Sequence, residues 1–335
     1  MYDELLLLSE EDVLVLLSPE DVIGIVEQVF QKCALGDTIY GPIGKMPVDA
    51  KGRNFYMTFP TGLRSMDLVG MKWFCGYGAP LPGYPFSHGN LLLLVRLSTG
   101  SPFALMGAGA ITAMRTAGGH GVVAAKHLSN PEPKTLAVIG SGVQARAGIR
   151  GFLATFSSIR RVCLWSRSSE NATALCREFS GHGPKIICTS SVQEAVAKAD
   201  LVLTATTSPE ILVKADWIRP GTTVIAITAF ADLDPALVER ADKWILGSLR
   251  EDIHNILETP ALRHGYPLHL EQVHGDLSQV ITGQRPGRER ADEIIVYSHM
   301  GMGFFDIACG KAAYDRALEQ GRGQRFRLGA FGLPR

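Results

Sequence analysis

The chain has 335 residues, 46% hydrophobic and 20% charged, with 33 Lys and Arg against 33 Asp and Glu. That length exceeds one simple core and suits two domains. The balanced charge provides no global field for nucleic acid or an anionic membrane, and apolar runs such as LLLLVRL at 91–97 are too short to span a bilayer. The opening MYDELLLLSEED is acidic where a secretory leader would be basic, which argues against export. The six cysteines, at 33, 75, 163, 176, 188 and 309, form no CxxC pair. They read as reduced, mostly core residues of a cytoplasmic protein rather than as a zinc site.

Residues 10–35 carry a helical pattern. Ser18 is placed to cap it, Pro19 suits the first helical position, and Val22, Ile25, Val26 and Val29 form one apolar face. NFYMTFPTG and LVGMKWFCG, within 54–76, alternate as strands do. NLLLLVRLSTGSPFALM reads as two strands joined at STGS. The first 110 or so residues are therefore expected to form a helix and a mainly antiparallel sheet. After SNPEPK the pattern changes. TLAVIG, RRVCLWSR, KIICTS, ADLVLTATT and TTVIAIT are short β-rich runs, separated by helix-like segments at 143–156, 169–179, 191–199 and 209–217. Alternating strands and helices imply a doubly wound parallel sheet. EIIVYSHMGMGFFDIACGKAAYDRALEQG closes the chain as a strand and then a helix that starts with small, apolar residues.

In TLAVIGSGVQARAG a strand, a glycine turn and a helix stand in the order that a dinucleotide fold requires. Gly140 allows the tight turn, Gly142 lets backbone approach a pyrophosphate, and Ala145 lets the helix pack close; Ser141, Val143 and Gln144 complete the loop. Helix N–H groups then face the phosphates. The plain alternative is a glycine turn in an α/β domain without a nucleotide. The second strand ends in Ser166, Arg167 and Ser168, with no carboxylate until Glu170. An acid there would bind the NAD ribose, whereas Arg167 suits a 2′-phosphate, so NADP(H) is favoured and NAD(H) remains possible.

GMKWFCGYGAP, LSTGSPFALMGAGAITAMRTAGGHGVVAAKHL, LAVIGSGVQA and GDLSQVITGQRPGR, taken in this order, resemble the ornithine cyclodeaminase/mu-crystallin family over nearly the whole chain. The serine-rich cofactor loop is most similar to its NADPH-binding mu-crystallin and ketimine reductase branch. The resemblance implies a Rossmann domain (129–299) inserted into an α+β substrate-binding and dimerisation domain (1–128 plus 300–335), and a homodimer. It implies hydride transfer between a nicotinamide and the Cα of an amino or imino acid. Residue by residue, it implies that Lys72 is the active-site lysine and Arg115 the substrate-carboxylate arginine. Thr116 would face the cofactor phosphates, and Ser87 and His88 would lie beside the nicotinamide ribose. Thr206 would be a further cofactor contact, and Lys45 would replace a second carboxylate-binding arginine.

The chemistry supports these roles. A guanidinium offers bidentate donors to a carboxylate. Arg115 has no acid anywhere in ITAMRTAGGHGVVAAKHL, so its expected partner is a ligand carboxylate. Lys72 lies in an apolar strand between Met71 and Trp73, where desolvation disfavours its charge; snorkelling to the surface is the alternative. Two stretches depart from the family. VIAITAFADLDPALVERAD shortens the loop that carries the cyclodeaminase aspartate. Asp232 is either that catalytic acid or a structural one, with Asp234-Pro235 capping the next helix. In VYSHMGMGFFD, His299 replaces a serine near the nicotinamide and is a candidate proton donor, a cofactor contact or an inert packing residue. Phe304 and Phe305 are expected at the domain junction.

An NAD(P)H-dependent oxidoreductase acting on CH–NH or CH–NH2 groups of an imino or amino acid, with Arg115 and Lys72 on the carboxylate, is the leading expectation. An ornithine- or lysine-type cyclodeaminase and a non-catalytic NADPH-dependent small-molecule carrier are the alternatives.

Overall fold

The computed structural model describes residues 4–49, 54–76, 88–181, 183–227, 230–256, 264–265 and 268–329. Along the chain the order opens with β1 (Glu4–Leu8), α1 (Glu10–Leu16), α2 (Pro19–Ala34), β2 (Thr38–Tyr40), β3 (Gly44–Pro47), β4 (Phe55–Leu63) and β5 (Leu68–Gly76). It continues with β6 (His88–Arg96), β7 (Pro102–Gly107) and α3 (Gly109–Arg115), then, beyond a π turn, α4 (Val122–Leu128). Next come β8 (Thr135–Ile139), α5 (Val143–Thr155), β9 (Arg161–Trp165), α6 (Ser169–Glu178), β10 (Lys185–Cys188), α7 (Val192–Val196) and β11 (Leu201–Thr204). The rest are β12 (Thr223–Ala226), α8 (Ala236–Arg240), β13 (Lys243–Leu246), α9 (Leu249–Ile256), β14 (Val273–Asp276), α10 (Leu277–Ile281), β15 (Ile295–Ser298), α11 (Gly303–Gln320) and β16 (Gln324–Arg327). They form two compact units, one of 1–115 with 302–335 and one of 116–301.

In the first unit, Ser18 caps α2 through a capping box with Asp21, with Pro19 at the first helical position as expected. The 10–35 pattern is two helices rather than one, because Leu17 and Ser18 leave helical geometry and Ser9 caps α1 in the same way. The sheet runs β16-β1-β7-β6-β5-β4-β2, with β3 on β4. β4, β5, β6 and β7 pair antiparallel, and β1 joins β7 in parallel. One sheet face is covered by α11: a Cβ on Gly70 would meet Ile307, and one on Gly310 would meet Leu92. Phe304 stacks edge-on with Tyr40 and Phe305 with Phe30, both contacts lying within this unit.

The second unit is an all-parallel sheet in the order β10-β9-β8-β11-β12-β15-β13-β14. Reading outward from β8, the strand order reverses between β8 and β11, which is the doubly wound pattern and puts its ligand crevice at their C-terminal ends. The unit includes the π turn Thr116–Gly121, which packs on α5. A Cβ on Gly151 would meet the Gly118 carbonyl at 2.7 Å, and one on Gly118 would meet the Ala147 carbonyl at 2.9 Å. Only glycine permits that backbone approach.

Two local expectations need correction. Residues 209–217 form no helix beyond a 3-10 turn at Ala215–Trp217. Leu212 and Val213 instead donate their N–H groups to the Asp232 carbonyl, and Val213 bridges Leu233. Cys176 and Cys188 are disulfide-bonded, because α6 folds back beside β10 and brings two residues 12 apart together. Cys33, Cys75, Cys163 and Cys309 are free thiols. No described His, Cys, Asp or Glu cluster suits a metal ion. No helix among the described residues is long and apolar enough to cross a membrane.

Candidate functional site

Lys72 lies in the middle of β5, opposite Phe59 on β4 and Leu92 on β6. Strand alternation turns its side chain to the face covered by α11. It is 2% exposed, and its Nζ donates to both carboxylate oxygens of Asp306 at 3.2 and 3.1 Å. Arg115, the last residue of α3, donates from Nε to Asp306 Oδ1 at 3.2 Å. Asp306 is wholly buried. Two cations thus share one acid in a dry place, and Arg115 Nη1 is buried with no hydrogen-bond partner among the described residues. Burial, and then the Arg115 charge, lower the Lys72 pKa to about 8 against the opposing pull of Asp306. The Phe59 ring stands 4.9 Å from Lys72 Nζ and closes the site on one side.

The arginine is aimed by its helix. Both carboxylate oxygens of Glu10 accept the N–H groups of Gly109 and Ala110 at 2.7 and 2.8 Å, satisfying the start of α3. The expectation that Arg115 finds its partner only in a ligand is corrected here. A protein carboxylate reaches it from a residue 191 positions away, and one edge of the guanidinium is left over. Asp306 was legible by the same clue that exposed Arg115. It is a lone acid in the small, apolar run GMGFFDIACG. Lys45 is exposed on β3, with its ammonium 5.1 Å from the centre of the Phe55 ring. The structure does not bring it to Asp306.

In the second unit the turn after β8 needs glycine. Gly140 has φ +118°, and a Cβ there would run into the Ala205 carbonyl. Gly142 caps α5 with open space above it, and Ala145 is buried against the strand. Ser141 and Ser166 hydroxyls meet at 2.8 Å. Gln144 Oε1 accepts from the Ala117 N–H at 3.1 Å, tying the loop helix to the π turn that begins at Thr116. Val143 is exposed. Ser168 caps α6, and Arg167 is exposed beside it. This loop, strand order and open helix start fit a nicotinamide dinucleotide. Ser87 lies outside the described residues. His88 begins β6, and its side chain is likewise outside them.

Three other residues from the sequence reading have protein partners. Asp232 is 1% exposed and accepts the Thr204 and Thr206 hydroxyls at 3.2 and 2.9 Å. Burial raises its pKa to about 6. The Thr206 hydroxyl is thereby spent on Asp232 and on the Ser208 N–H. His299 is fully buried, hydrogen-bonded through Nδ1 to Asp252 at 2.7 Å and packed on Gly247, where even a Cβ would collide with its ring. Asp252 was missed in the sequence because its partner lies far along the chain.

A sequence profile of the ornithine cyclodeaminase/mu-crystallin family matches residues 3–321. The chain belongs to that family. Among its family relatives, a Δ1-pyrroline-2-carboxylate reductase of Bacillus cereus is 31% identical over 245 residues, covering 71% of this chain and 74% of the reductase. Among solved structures, the Thermococcus litoralis Δ1-pyrroline-2-carboxylate reductase in complex with NADH and L-proline superposes with a TM-score of 0.86 at 29% identity, covering 95% of this chain and 99% of that one. An archaeal alanine dehydrogenase dimer with bound NAD gives 0.87 at 25% identity, covering 97% of this chain and 100% of that one.

Proposed function

We propose that this protein reduces a 2-imino acid to the amino acid, using NADPH. Oxidoreductase chemistry on imino and amino acids is the class to which it belongs; the direction, the choice of cofactor and the residue roles are the proposal. The observation that carries it is the Lys72–Asp306–Arg115 group, with two buried cations on one acid and Arg115 Nη1 unpartnered. Such a group is one negative charge short, and a substrate carboxylate supplies it.

A nicotinamide, when bound, would supply hydride to Cα. Arg115 holds and orients the substrate carboxylate. Reduction also needs one proton on nitrogen. Lys72, still largely protonated at neutral pH with a pKa near 8, gives that proton and regains it from solvent. Asp232 and His299 keep their threonine and Asp252 partners and transfer no proton in this scheme. An engaged Asp232 also favours reduction over ring-forming deamination. The exposed Arg167, with no acid at the end of β9, supports NADPH over the NADH of the Thermococcus reductase. Met46, Trp73 and Leu91 expose apolar surface on the sheet face opposite Lys72, which supports a homodimer through that face.

The test is a panel of 2-oxo acids with ammonia, methylamine or amino acids, followed by absorbance of NADPH and then NADH. Stoichiometric NADPH consumption, lost in Arg115→Ala, is expected. Turnover with no net cofactor change would make it a cyclodeaminase instead. Tight NADPH binding with no turnover on any acid would make it a carrier.

A further inference from the structure

The start of α11 is apolar except for Asp306, and this carboxylate is sealed from water. An ionised acid in such a place is costly unless it is paired. It is paired twice, with Lys72 from β5 and Arg115 from α3. We propose that Asp306 is a positioning residue, which holds Lys72 and Arg115 on one carboxylate and so turns the remaining edge of the guanidinium toward an incoming substrate carboxylate. This rests on the oxidoreductase reading of the site. Because the salt bridge uses Arg115 Nε, the terminal Nη1 is the group left to bind. Asp306 acts through both cations and touches no reacting atom.

The same carboxylate governs where Lys72 keeps its proton. The groups facing the ammonium are Asp306, which favours the charge, and Arg115, which opposes it. Phe59 and Leu92 flank it without charge. Cys309, three residues beyond Asp306 on α11, is a neutral thiol pushed up by burial. Without Asp306, desolvation and Arg115 act unopposed, so the ammonium loses its proton at lower pH.

Asp306→Asn and Asp306→Glu, made in the full chain, test this with two readouts. The first is the pH profile of kcat/KM with NADPH. Its limb is expected near pH 8 in the wild type and should move at least one pH unit lower in Asp306→Asn. The value at pH 7 should fall about 100-fold, the size of loss that a small misplacement of the substrate-holding groups brings. Asp306→Glu should restore the limb. The second is the titration of the Lys72 13Cε resonance, identified by its loss in Lys72→Met; it needs no activity and should show the same displacement.

A limb and a resonance that stay in place in Asp306→Asn would overturn the proposal, whatever the loss of stability. Should the Asn variant not fold, Asp306→Glu decides by itself. It keeps the charge but moves it by a methylene, and a wild-type kcat/KM with it would refute positioning. If the wild type reduces no acid, the functional reading fails, and the lysine titration still decides the role of Asp306.

Discussion

Lys72 should make the stability of the first unit depend on alkaline pH. Its pKa falls from 10.5 to about 8 on folding, chiefly through burial and next through Arg115. Between these two values the unfolded chain holds a proton that the folded chain has released, so unfolding free energy rises with pH. Below pH 8 both states are protonated and the full penalty for the buried charge is present. At about 1.4 kcal/mol per pKa unit, the wild type should gain roughly 3 kcal/mol between pH 7.5 and 10.5. Lys72→Met removes the titrating group and leaves Asp306 bridged to Arg115. Other alkaline titrations, such as those of tyrosines and free cysteines, are common to both proteins and cancel in the comparison. Urea unfolding of both proteins across this range is the assay. With a denaturant slope of about 3 kcal/mol per molar, the gap between midpoints should change by roughly 1 M. Parallel midpoints at every pH would refute the reasoning, because they would mean that Lys72 stays charged or stays hydrated in the folded state.

Asp232 gives the opposite sign. Its folded pKa is raised to about 6 by burial, so the native state holds the proton that the unfolded chain releases near pH 4. Stability should fall as pH rises from 4 to 6, by up to about 3 kcal/mol, and Asp232→Asn should abolish that slope in the same urea assay. Glu10→Ala removes two charge-assisted bonds from the start of α3 and should cost about 1–2 kcal/mol. It should also weaken the carboxylate substrate, measured as KM, because α3 carries Arg115. Gly151→Ala places a Cβ against the Gly118 backbone at 2.7 Å, and rigid backbone has nowhere to move. A loss of about 1–3 kcal/mol is expected, read as a lower thermal midpoint of the second unit.

The dinucleotide-binding unit was legible because its signals are local. A β-rich run, Gly140, Gly142 and a helix stand within one short stretch, and the doubly wound parallel sheet followed from alternation of strands and helices. The long strands β4 to β7 were legible for the same reason, through period-two patterns and the STGS turn. β1, β2, β3 and β16 were not. β2, β3 and β16 are three or four residues long, too short for a periodic pattern, and β1 and β16 owe their state to pairing with strands far along the chain. Lys72 and Arg115 were found as charges in apolar surroundings, yet their shared acid was overlooked. It sits 234 residues from Lys72, beyond the reach of any spacing argument. Asp232 was left open between two roles because its partners, Thr204 and Thr206, are brought to it only by the folded sheet. The disulfide escaped notice because the Cys176–Cys188 spacing matches no motif, and only the return of α6 beside β10 joins the two.

The first unit is made from both ends of the sequence, and this orders events during synthesis. The sheet strands, Lys72 and Arg115 leave the ribosome long before α11 does. Until Gly303–Gln320 emerges, two cations and an apolar sheet face have neither cover nor counter-ion, so this unit cannot close. The second unit is one continuous stretch and is free to fold while it waits. The carboxylate that pairs with Lys72 and Arg115 thus arrives with the helix that covers the sheet. A chain halted before α11 would hold a finished dinucleotide fold beside an open, hydrated sheet, a state that proteases and chaperones can tell apart from the finished protein.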